Sequence, residues 1–323
     1  MNADNIKPDQ MRLIAQVLTQ HFESGKLQAD IAKEMGLSTA KVNRLIKQGR
    51  ELGMVHITIK SPLLRLFDLE CEISDHWGLR NCLVVPSVTG SPEATLNEVG
   101  RAAANLLVDT VRDGDTIAIS GGKTLSAIVE NLTTAQAHDV TVVPMTGGVQ
   151  GQHYTDVNHI ATSLADRLSG RATLIHAPLH ADNEEERDMV MAMKSVSHVM
   201  EKAAKASVAL VGVGAVIGEN ATYYEAHPVS EEDRNALYAS GVRSEFLGHL
   251  VQEDGRLSDN ALNSRLVSLP PERLLNIPVT IGVASGLEKV EPIIAALNGG
   301  YFNSLVTDDV TAAAIMQRET ANA

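Results

Sequence analysis

The larger part of the chain alternates short apolar runs with stretches of helical length. Seven runs have the composition of buried strands: 82–86, 116–120, 141–145, 172–178, 208–214, 279–284 and 304–307. Because segments of helical length separate most of them, they predict an α/β fold with a doubly wound, mainly parallel sheet covered on both faces. One exception is 244–257, where Asp254-Gly255 favours a hairpin. In such sheets ligands bind beyond the carboxyl ends of the strands, so the loops that follow strands are the ones to inspect.

The first 60 residues have a different, purely helical pattern. Apolar positions recur at helical spacing in 11–22, again in 27–35 and again from Val42 onward. Gly36 falls in the turn between the second and third helices, and Ser38 or Thr39 can cap the third. This arrangement is typical of a helix-turn-helix. Residues 54–60 are expected to form a short strand beside the helices, as a wing.

Charge separates the same two regions. The chain carries −13 in all, but residues 1–60 hold nine Lys/Arg and six Asp/Glu, so the remainder carries −16. A small basic module joined to a large acidic one favours DNA binding by the first. We expect base and phosphate contacts from Gln28, Ser38, Thr39, Lys41, Asn43, Arg44 and Lys47. The simpler alternative is a helical bundle with a solvated basic face.

Between these regions, 61–78 has its apolar residues near one helical face and predicts an amphipathic linker helix. It divides the chain into a helix-turn-helix domain (1–60) and a larger domain (79–323), and it serves as a linker, a subunit contact or a core-packing helix. No apolar run approaches the roughly 20 residues of a membrane span, and the N-terminus lacks signal-peptide features. We therefore expect a cytoplasmic protein.

The first glycine-rich loop is Ser120-Gly-Gly-Lys-Thr124, which ends like a nucleotide-binding P-loop. That motif needs a glycine at position 117, where this chain has Ile117, so a triphosphate loop is excluded. What remains is a short turn leading into a helix, with N–H groups, hydroxyls and one ammonium suited to a single phosphate. A glycine turn chosen for close packing is the alternative.

Two further glycine loops follow strands. In 144–152, Gly147 and Gly148 permit close backbone approach, and Gln150 is among the neutral side chains suited to sugar hydroxyls. The run 212–218 has Ile217 where a dinucleotide fingerprint needs its last glycine, which favours a loop at the sheet edge. His153 and His159 lack the spacing of metal ligands. We expect no metal and no cofactor.

Five segments in this order resemble the SorC-type (SorC/DeoR) family of sugar-binding bacterial transcriptional regulators: Ser120-GGKT, Met145-TGGVQG, Ala209-LVGVGAV, Phe246-LGHLVQEDG and 281–316. Each motif is weak alone, but their order is specific, and the resemblance covers about residues 10–318. Members of this family combine an N-terminal helix-turn-helix with an effector domain similar to sugar-phosphate isomerases.

The resemblance implies roles for individual residues. The turn Ser120, Gly121, Gly122, Lys123 and Thr124 would bind the effector's phosphate. The loop Gly147, Gly148, Val149 and Gln150 would close on the sugar, and Lys289 would reach the phosphate from another strand end. Glu245 stands where the family commonly has the aspartate that recognises hydroxyls. Lys123 occupies a position that is often uncharged in the family, which suits a smaller or more anionic effector.

Together these features predict a DNA-binding regulator of a carbohydrate or polyol catabolic operon, not an enzyme. Its partners would be operator DNA, a phosphorylated sugar or polyol, and further copies of the chain in a dimer or tetramer. A sugar-phosphate isomerase or deaminase is the main alternative, with Glu245 and His159 as scattered acid–base candidates. A pure scaffold is a third possibility.

Overall fold

The computed structural model describes residues 8–55, 64–133, 139–149, 156–217 and 230–322. The chain divides into two compact units, 1–62 and 63–323. Across the helices that are described, none is long and apolar enough to cross a membrane.

The smaller unit contains three helices: α1 (Pro8–Leu18), α2 (Gln28–Glu34) and α3 (Thr39–Glu51). A single π-helical turn, Thr19–Glu23, extends α1. The apolar stripes read from the sequence meet in one core, listed here by its buried members: Ile14, Val17, Leu18, Ile31, Ala32, Val42, Leu45 and Ile46. The helical N-terminal region is thus confirmed. The expected wing falls mostly on 56–60, which lie outside the described residues, and Met54 and Val55 are not in a strand.

The predicted α/β architecture of the larger unit is also confirmed. Among the described residues, a seven-stranded parallel sheet is formed by β1 (Asn81–Val85), β2 (Thr116–Ile119), β3 (Thr141–Pro144), β4 (Arg171–Ala172), β5 (Val208–Gly212), β9 (Val279–Val283) and β10 (Ser304–Asp308). Their order is β1-β10-β9-β5-β2-β3-β4. Every one of these strands overlaps a predicted apolar run.

The larger unit has nine described helices, most of which cover the two faces of this sheet: α4 (Leu64–Trp77), α5 (Pro92–Thr110), α6 (Lys123–Asn131), α7 (Val157–Leu168), α8 (Glu184–Ala192), α9 (Lys194–Ala204), α10 (Glu231–Ala239), α11 (Val290–Asn298) and α12 (Asp309–Asn322). Short 3₁₀ segments lie at Asn263–Arg265, Pro271–Asn276 and Leu287–Lys289. Two separate apolar clusters pack on the sheet, one around Met145 and Ile293 and the other around Ile117 and Ile160. Burial on both faces explains why the strands are almost continuously apolar.

A second, antiparallel sheet is made by β6 (Gly214–Ala215), β7 (Val242–Phe246) and β8 (His249–Gln252). The hairpin expected at Asp254-Gly255 is present: Val251 pairs antiparallel with Leu257, and the Gln252 N–H donates to the Arg256 carbonyl at 2.8 Å. A second tight turn, Leu247-Gly248, joins β7 to β8 and was not predicted. It was missed because Leu247, with φ of 53°, occupies a conformation that favours glycine or asparagine.

Candidate anion-binding site and nucleic-acid interface

The sheet reverses its winding direction between β5 and β2. From β2 the chain moves outward through β3 to β4, whereas from β5 it moves the other way through β9 to β10. At such a switch point, the loops that leave the carboxyl ends of neighbouring strands diverge and open a crevice for ligands. Ile119 is level with Pro144, and Gly212 is level with Val283, so the loops after all four strands begin at the same edge.

The turn after β2 leads directly into helix α6. Gly122 has φ of 117°, a conformation that L side chains rarely adopt, and a Cβ there would meet no atom within 4 Å. The backbone angle therefore requires this glycine, and crowding does not. No side chain caps α6, whereas Ser91 caps α5 and Asp156 caps α7 by accepting helix N–H groups. The first N–H groups of α6 thus offer a site where an anion is favoured.

Ser120 lies at the start of the turn and forms two hydrogen bonds with β5. Its side chain is buried, and its Oγ accepts the Gly212 N–H at 3.2 Å, while its own N–H donates to the Leu210 carbonyl at 3.1 Å. These bonds fasten the turn to β5 across the switch point. Lys123 is exposed, and Gly121, Gly122 and Thr124 are half-buried at the crevice.

Lys289 comes from the loop after β9. Gly286, with φ of 107°, turns this loop and donates its N–H to Asp308 Oδ2 at 3.0 Å and to Thr311 Oγ1 at 2.9 Å. Lys289 itself is half-buried. Burial lowers the pKa of its ammonium group, while the carboxylates of Glu245 and Glu288 raise it and the ammonium of Lys123 lowers it. Lys289 is therefore within electrostatic range of both Lys123 and Glu245, although the three residues are far apart in the sequence.

Glu245 completes this group from strand β7. Its Oε1 accepts the Gly248 N–H at 2.6 Å, and its Oε2 lies so close to Gly214 that a Cβ there would come within 2.1 Å. Burial raises the pKa of Glu245 above its ordinary value of 4.5, while the Gly248 N–H and Lys289 act in the opposite direction. The carboxyl group of Glu245 thus stabilises the Leu247-Gly248 turn through a hydrogen bond, and it lies within electrostatic range of Lys289.

The backbone of the glycine loop after β3 packs closely against two distant segments. The Gly147 N–H donates to the Val267 carbonyl and the Gly148 N–H to the Ala177 carbonyl, both at 2.8 Å. A Cβ on Gly147 would lie 2.2 Å from the Pro178 carbonyl oxygen. These two glycines therefore allow close approach of the 177–178 backbone, and their N–H groups are already bonded within the protein. Val149 is half-buried, and Gln150 lies outside the described residues.

Two contributors were missed from the sequence. Asp308 is buried at the end of β10, and its carboxylate accepts the Gly286 N–H together with the N–H and hydroxyl of Thr311. Gly214 provides the space for the Glu245 carboxyl group. The position of Asp308 at a strand's carboxyl end was a usable signal. The role of Gly214 was not visible, because its partner is 31 positions away.

Within the smaller unit, the turn between α2 and α3 presents α3 as a candidate nucleic-acid interface. Gly36 has φ of 63°, and Ser38 caps α3 by accepting the Lys41 N–H at 3.2 Å. Of the predicted contact residues, six are exposed and Gln28 is half-buried; the exposed ones are Ser38, Thr39, Lys41, Asn43, Arg44 and Lys47. A capped helix with a free polar face and basic side chains has the features of a recognition helix.

Known proteins are similar to this chain in both sequence and fold. Residues 61–317 match the family model described as "Putative sugar-binding domain". The sorbitol operon regulator of Klebsiella pneumoniae is 30% identical over 314 residues, covering 96% of this chain and 99% of the relative. The erythritol catabolism regulatory protein EryD of Brucella abortus is 29% identical over 298 residues, covering 92% and 93%.

Solved structures agree. The crystal structure of the full-length sorbitol operon regulator SorC from Klebsiella pneumoniae has a TM-score of 0.73 at 30% identity, covering 94% of this chain and 98% of that one. A DeoR family transcriptional regulator from Listeria monocytogenes has a TM-score of 0.71 at 27% identity, covering 77% and 99%.

Proposed function

Since this chain belongs to the SorC-type family of sugar-binding transcriptional regulators, we propose that it regulates a carbohydrate or polyol catabolic operon in response to a phosphorylated sugar or polyol. Helix α3 would bind the operator, and the crevice at the β2–β5 switch point would bind the effector. The names of two relatives specify erythritol and sorbitol, which supports a polyol-related operon. The observation that carries the proposal is the convergence of Lys123, Lys289 and the uncapped start of α6 beside Glu245.

This convergence suits a phosphate monoester. The helix N–H groups and two ammonium groups supply donors and positive charge in a domain that is otherwise strongly acidic. A half-buried Lys289 is costly to leave ionised, so an anionic ligand gains more there than at a fully solvated lysine. Glu245 and the loop at 147–149 would then face the polyol part, where hydroxyl groups need neutral or anionic acceptors.

The effector would act by favouring one arrangement of the protein over another, with a corresponding change in operator affinity. Helix-turn-helix proteins bind two half-sites as dimers, so we propose a homo-oligomer in the cytoplasm.

The DNA-binding part is tested by selecting duplexes from a random library with the full-length protein and measuring affinity for the selected sequence. Arg44→Ala should weaken specific binding by about 1–3 kcal/mol, because Arg44 lies exposed on α3. Arg112→Ala, an exposed arginine of the larger unit, is the control and should bind like the wild type. Equal specific binding by wild type and Arg44→Ala would exclude α3 as the recognition helix.

The effector part is tested by thermal denaturation with a panel of phosphorylated and unphosphorylated sugars and polyols. A ligand at 100 times its dissociation constant adds about 2.7 kcal/mol to the free energy of unfolding. Lys289→Met and Lys123→Met should each reduce the shift given by phosphorylated ligands, whereas Lys205→Met, an exposed lysine on another face, should not. Unchanged shifts in both site variants would place the effector elsewhere, and turnover of a sugar phosphate would favour the isomerase or deaminase alternative.

A further inference from the structure

Helix α11 runs from the candidate effector site to helix α4. Its first residue, Val290, directly follows Lys289, and at its last residue Asn298 Oδ1 accepts the Nε1–H of Trp77 at 3.1 Å. Seven of its nine residues are buried. A helix of this length spans about 13 Å and, packed on most sides, moves as one body. Trp77 is the last residue of α4, so the two ends of α11 contact the site and α4 respectively.

Strand β7 presents two charged side chains of opposite sign to the beginning of α11. Arg243 and Glu245 alternate with buried residues and therefore lie on the same face of the strand. Glu245 interacts with Lys289, as described above, and Arg243 Nε lies 3.7 Å from Glu291 Oε2. The second ion pair thus lies two residues earlier on β7 and two residues later along the chain that enters α11.

Glu291 also contacts two further elements, α10 and α12. Its Oε2 also accepts the hydroxyl of Tyr238 on α10 at 2.7 Å, and its Oε1 is 2.6 Å from Arg318 Nη2 on α12. Arg243 in turn donates to the Tyr238 carbonyl at 2.7 Å and lies over the Tyr238 ring, 4.1 Å from its centroid. The side chains of Glu291 and Arg243 are only 21% and 16% exposed, so the ion pair between them is largely shielded from solvent, whereas Arg318 is 40% exposed.

Helix α12 also contacts both the loop that carries Lys289 and helix α4. At its start, the Asp308–Thr311 pair holds the Gly286 N–H of the loop that carries Lys289. Near its other end, Glu319, the neighbour of Arg318, lies 3.3 Å from His76 Nε2 on α4. Helix α4 therefore receives contacts from the ends of both α11 and α12, and it is the first described element after the DNA-binding unit in the sequence.

We propose that Glu291 is a positioning residue that couples the effector site to helix α4, by holding β7, α11 and α12 together through Arg243 and Arg318. The proposal rests on the phosphate site of the proposed function. A phosphate that pairs with Lys289 weakens the interaction between Lys289 and Glu245, which shifts β7 relative to α11. The two ion pairs that share Glu291, with Arg243 and with Arg318, convert that shift into a joint displacement of α11 and α12, and the ends of both helices contact α4.

Trp77 offers a direct readout, because it is the chain's single tryptophan and lies at the end of α4. Inorganic phosphate is titrated into the full-length protein while Trp77 emission is recorded, and phosphate binding is measured in parallel by calorimetry. The wild type should show a Trp77 response that saturates with binding. Glu291→Gln, which keeps an acceptor for Tyr238 but removes the charge, should lose the response with an unchanged dissociation constant for phosphate.

Glu253→Gln is the matched control, since Glu253 also pairs with Arg243, at 3.4 Å, but does not contact α12 through its carboxylate. It should respond like the wild type. Should Glu291→Gln fail to fold, Arg318→Gln removes the same bridge from the more exposed side. A wild-type Trp77 response in either bridge variant, or phosphate binding without any Trp77 response, would overturn the coupling alone. Absence of phosphate binding to the wild type would overturn the phosphate site itself, and the coupling with it.

Discussion

Three glycines of the larger unit are required for different physical reasons. Gly122 and Gly114 have φ of 117° and 89° with open space where a Cβ would stand. Gly147 has no such angle, but a Cβ there would lie 2.2 Å from the Pro178 carbonyl oxygen. The first two are therefore constrained by backbone conformation and the third by close packing. Substitution by alanine should accordingly have different effects on stability at these positions.

Gly122→Ala and Gly114→Ala should each lower the free energy of unfolding by about 1–2 kcal/mol, because alanine is strained at these angles. Gly147→Ala should lower it further, since the 177–178 backbone must move and the hydrogen bond between Ala177 and Gly148 is disturbed. Urea denaturation measures all three. Phosphate affinity should fall in Gly122→Ala and remain in Gly114→Ala, which lies at the opposite edge of the sheet; equal affinities would remove the α6 turn from the site.

Glu245→Gln separates charge from hydrogen bonding at the site. Because burial raises the pKa of Glu245, the folded state holds its proton more tightly than the unfolded state does. Relative to the glutamine variant, the wild type therefore has its full additional stability at pH below the ordinary pKa of 4.5. It loses this stability as the pH rises through the pKa of Glu245 in the folded state. Denaturation curves of both proteins, measured at several pH values, test this. The same difference in free energy of unfolding at every pH would contradict it.

The same substitution should divide ligands into two classes. Without the negative charge beside Lys289, inorganic phosphate should bind more tightly to Glu245→Gln than to the wild type. A phosphorylated polyol should instead bind less tightly, because the amide replaces a carboxylate acceptor for hydroxyl groups. Calorimetry with both ligands measures the split. Weaker binding of both would mean that Glu245 stabilises the pocket and does not recognise hydroxyl groups.

At the scale of elements, the β7–β8 hairpin is where local sequence and structure disagree. Leu247 is buried and left-handed, a combination that turn propensities do not favour. Two contacts hold it: the Ser268 hydroxyl donates to the Leu247 carbonyl at 2.7 Å, and Glu245 accepts the Gly248 N–H. The turn is thus held by one contact within the hairpin, from Glu245, and by one from Ser268, 21 residues further on.

His249, which begins β8, makes this hairpin sensitive to acid. Burial lowers the pKa of His249 to about 4 from 6.5, so the unfolded chain binds more protons between these values. Stability should therefore fall as pH decreases from 6.5 to 4, by about 3 kcal/mol in all at roughly 1.4 kcal/mol per pH unit. His249→Gln should flatten this part of the pH profile. The exposed His198→Gln leaves His249 in place and should keep the wild-type profile; if His249→Gln also kept it, another group would be responsible.

These elements show how far the sequence reaches. Six of the seven parallel strands are predictable, because burial on both faces leaves a run such as 208–212 without polar residues. The seventh, β4, is not buried and shares only Ala172 with the expected run 172–178. The convergence of Lys123 and Lys289 follows from the resemblance, since both lie just beyond strand ends. The donors of Gly147 and Gly148 could not be assigned, because their acceptors, Val267 and Ala177, belong to distant segments that no local pattern connects.

At the scale of the whole molecule, the charge distribution separates the two proposed tasks. Residues 1–60 carry a net charge of +3, whereas the rest of the chain carries a net charge of −16. Duplex DNA should therefore be attracted by the smaller unit and repelled by the larger one, so a few cations on α3 must supply most of the electrostatic affinity.

Lys47 tests this balance, because it is exposed on α3 and its only described ion pair is a long one, 3.9 Å to Glu51. Lys47→Ala should weaken binding to selected and unrelated duplexes alike, and it should reduce the slope of log affinity against log salt by about 0.9 for one lost phosphate contact. Lys205→Ala, exposed in the acidic unit, should leave both quantities unchanged. Titrations from low to high salt with both variants distinguish the two outcomes. Equal slopes for Lys47→Ala and the wild type would show that α3 does not lie on the DNA backbone, whatever the affinity for the operator.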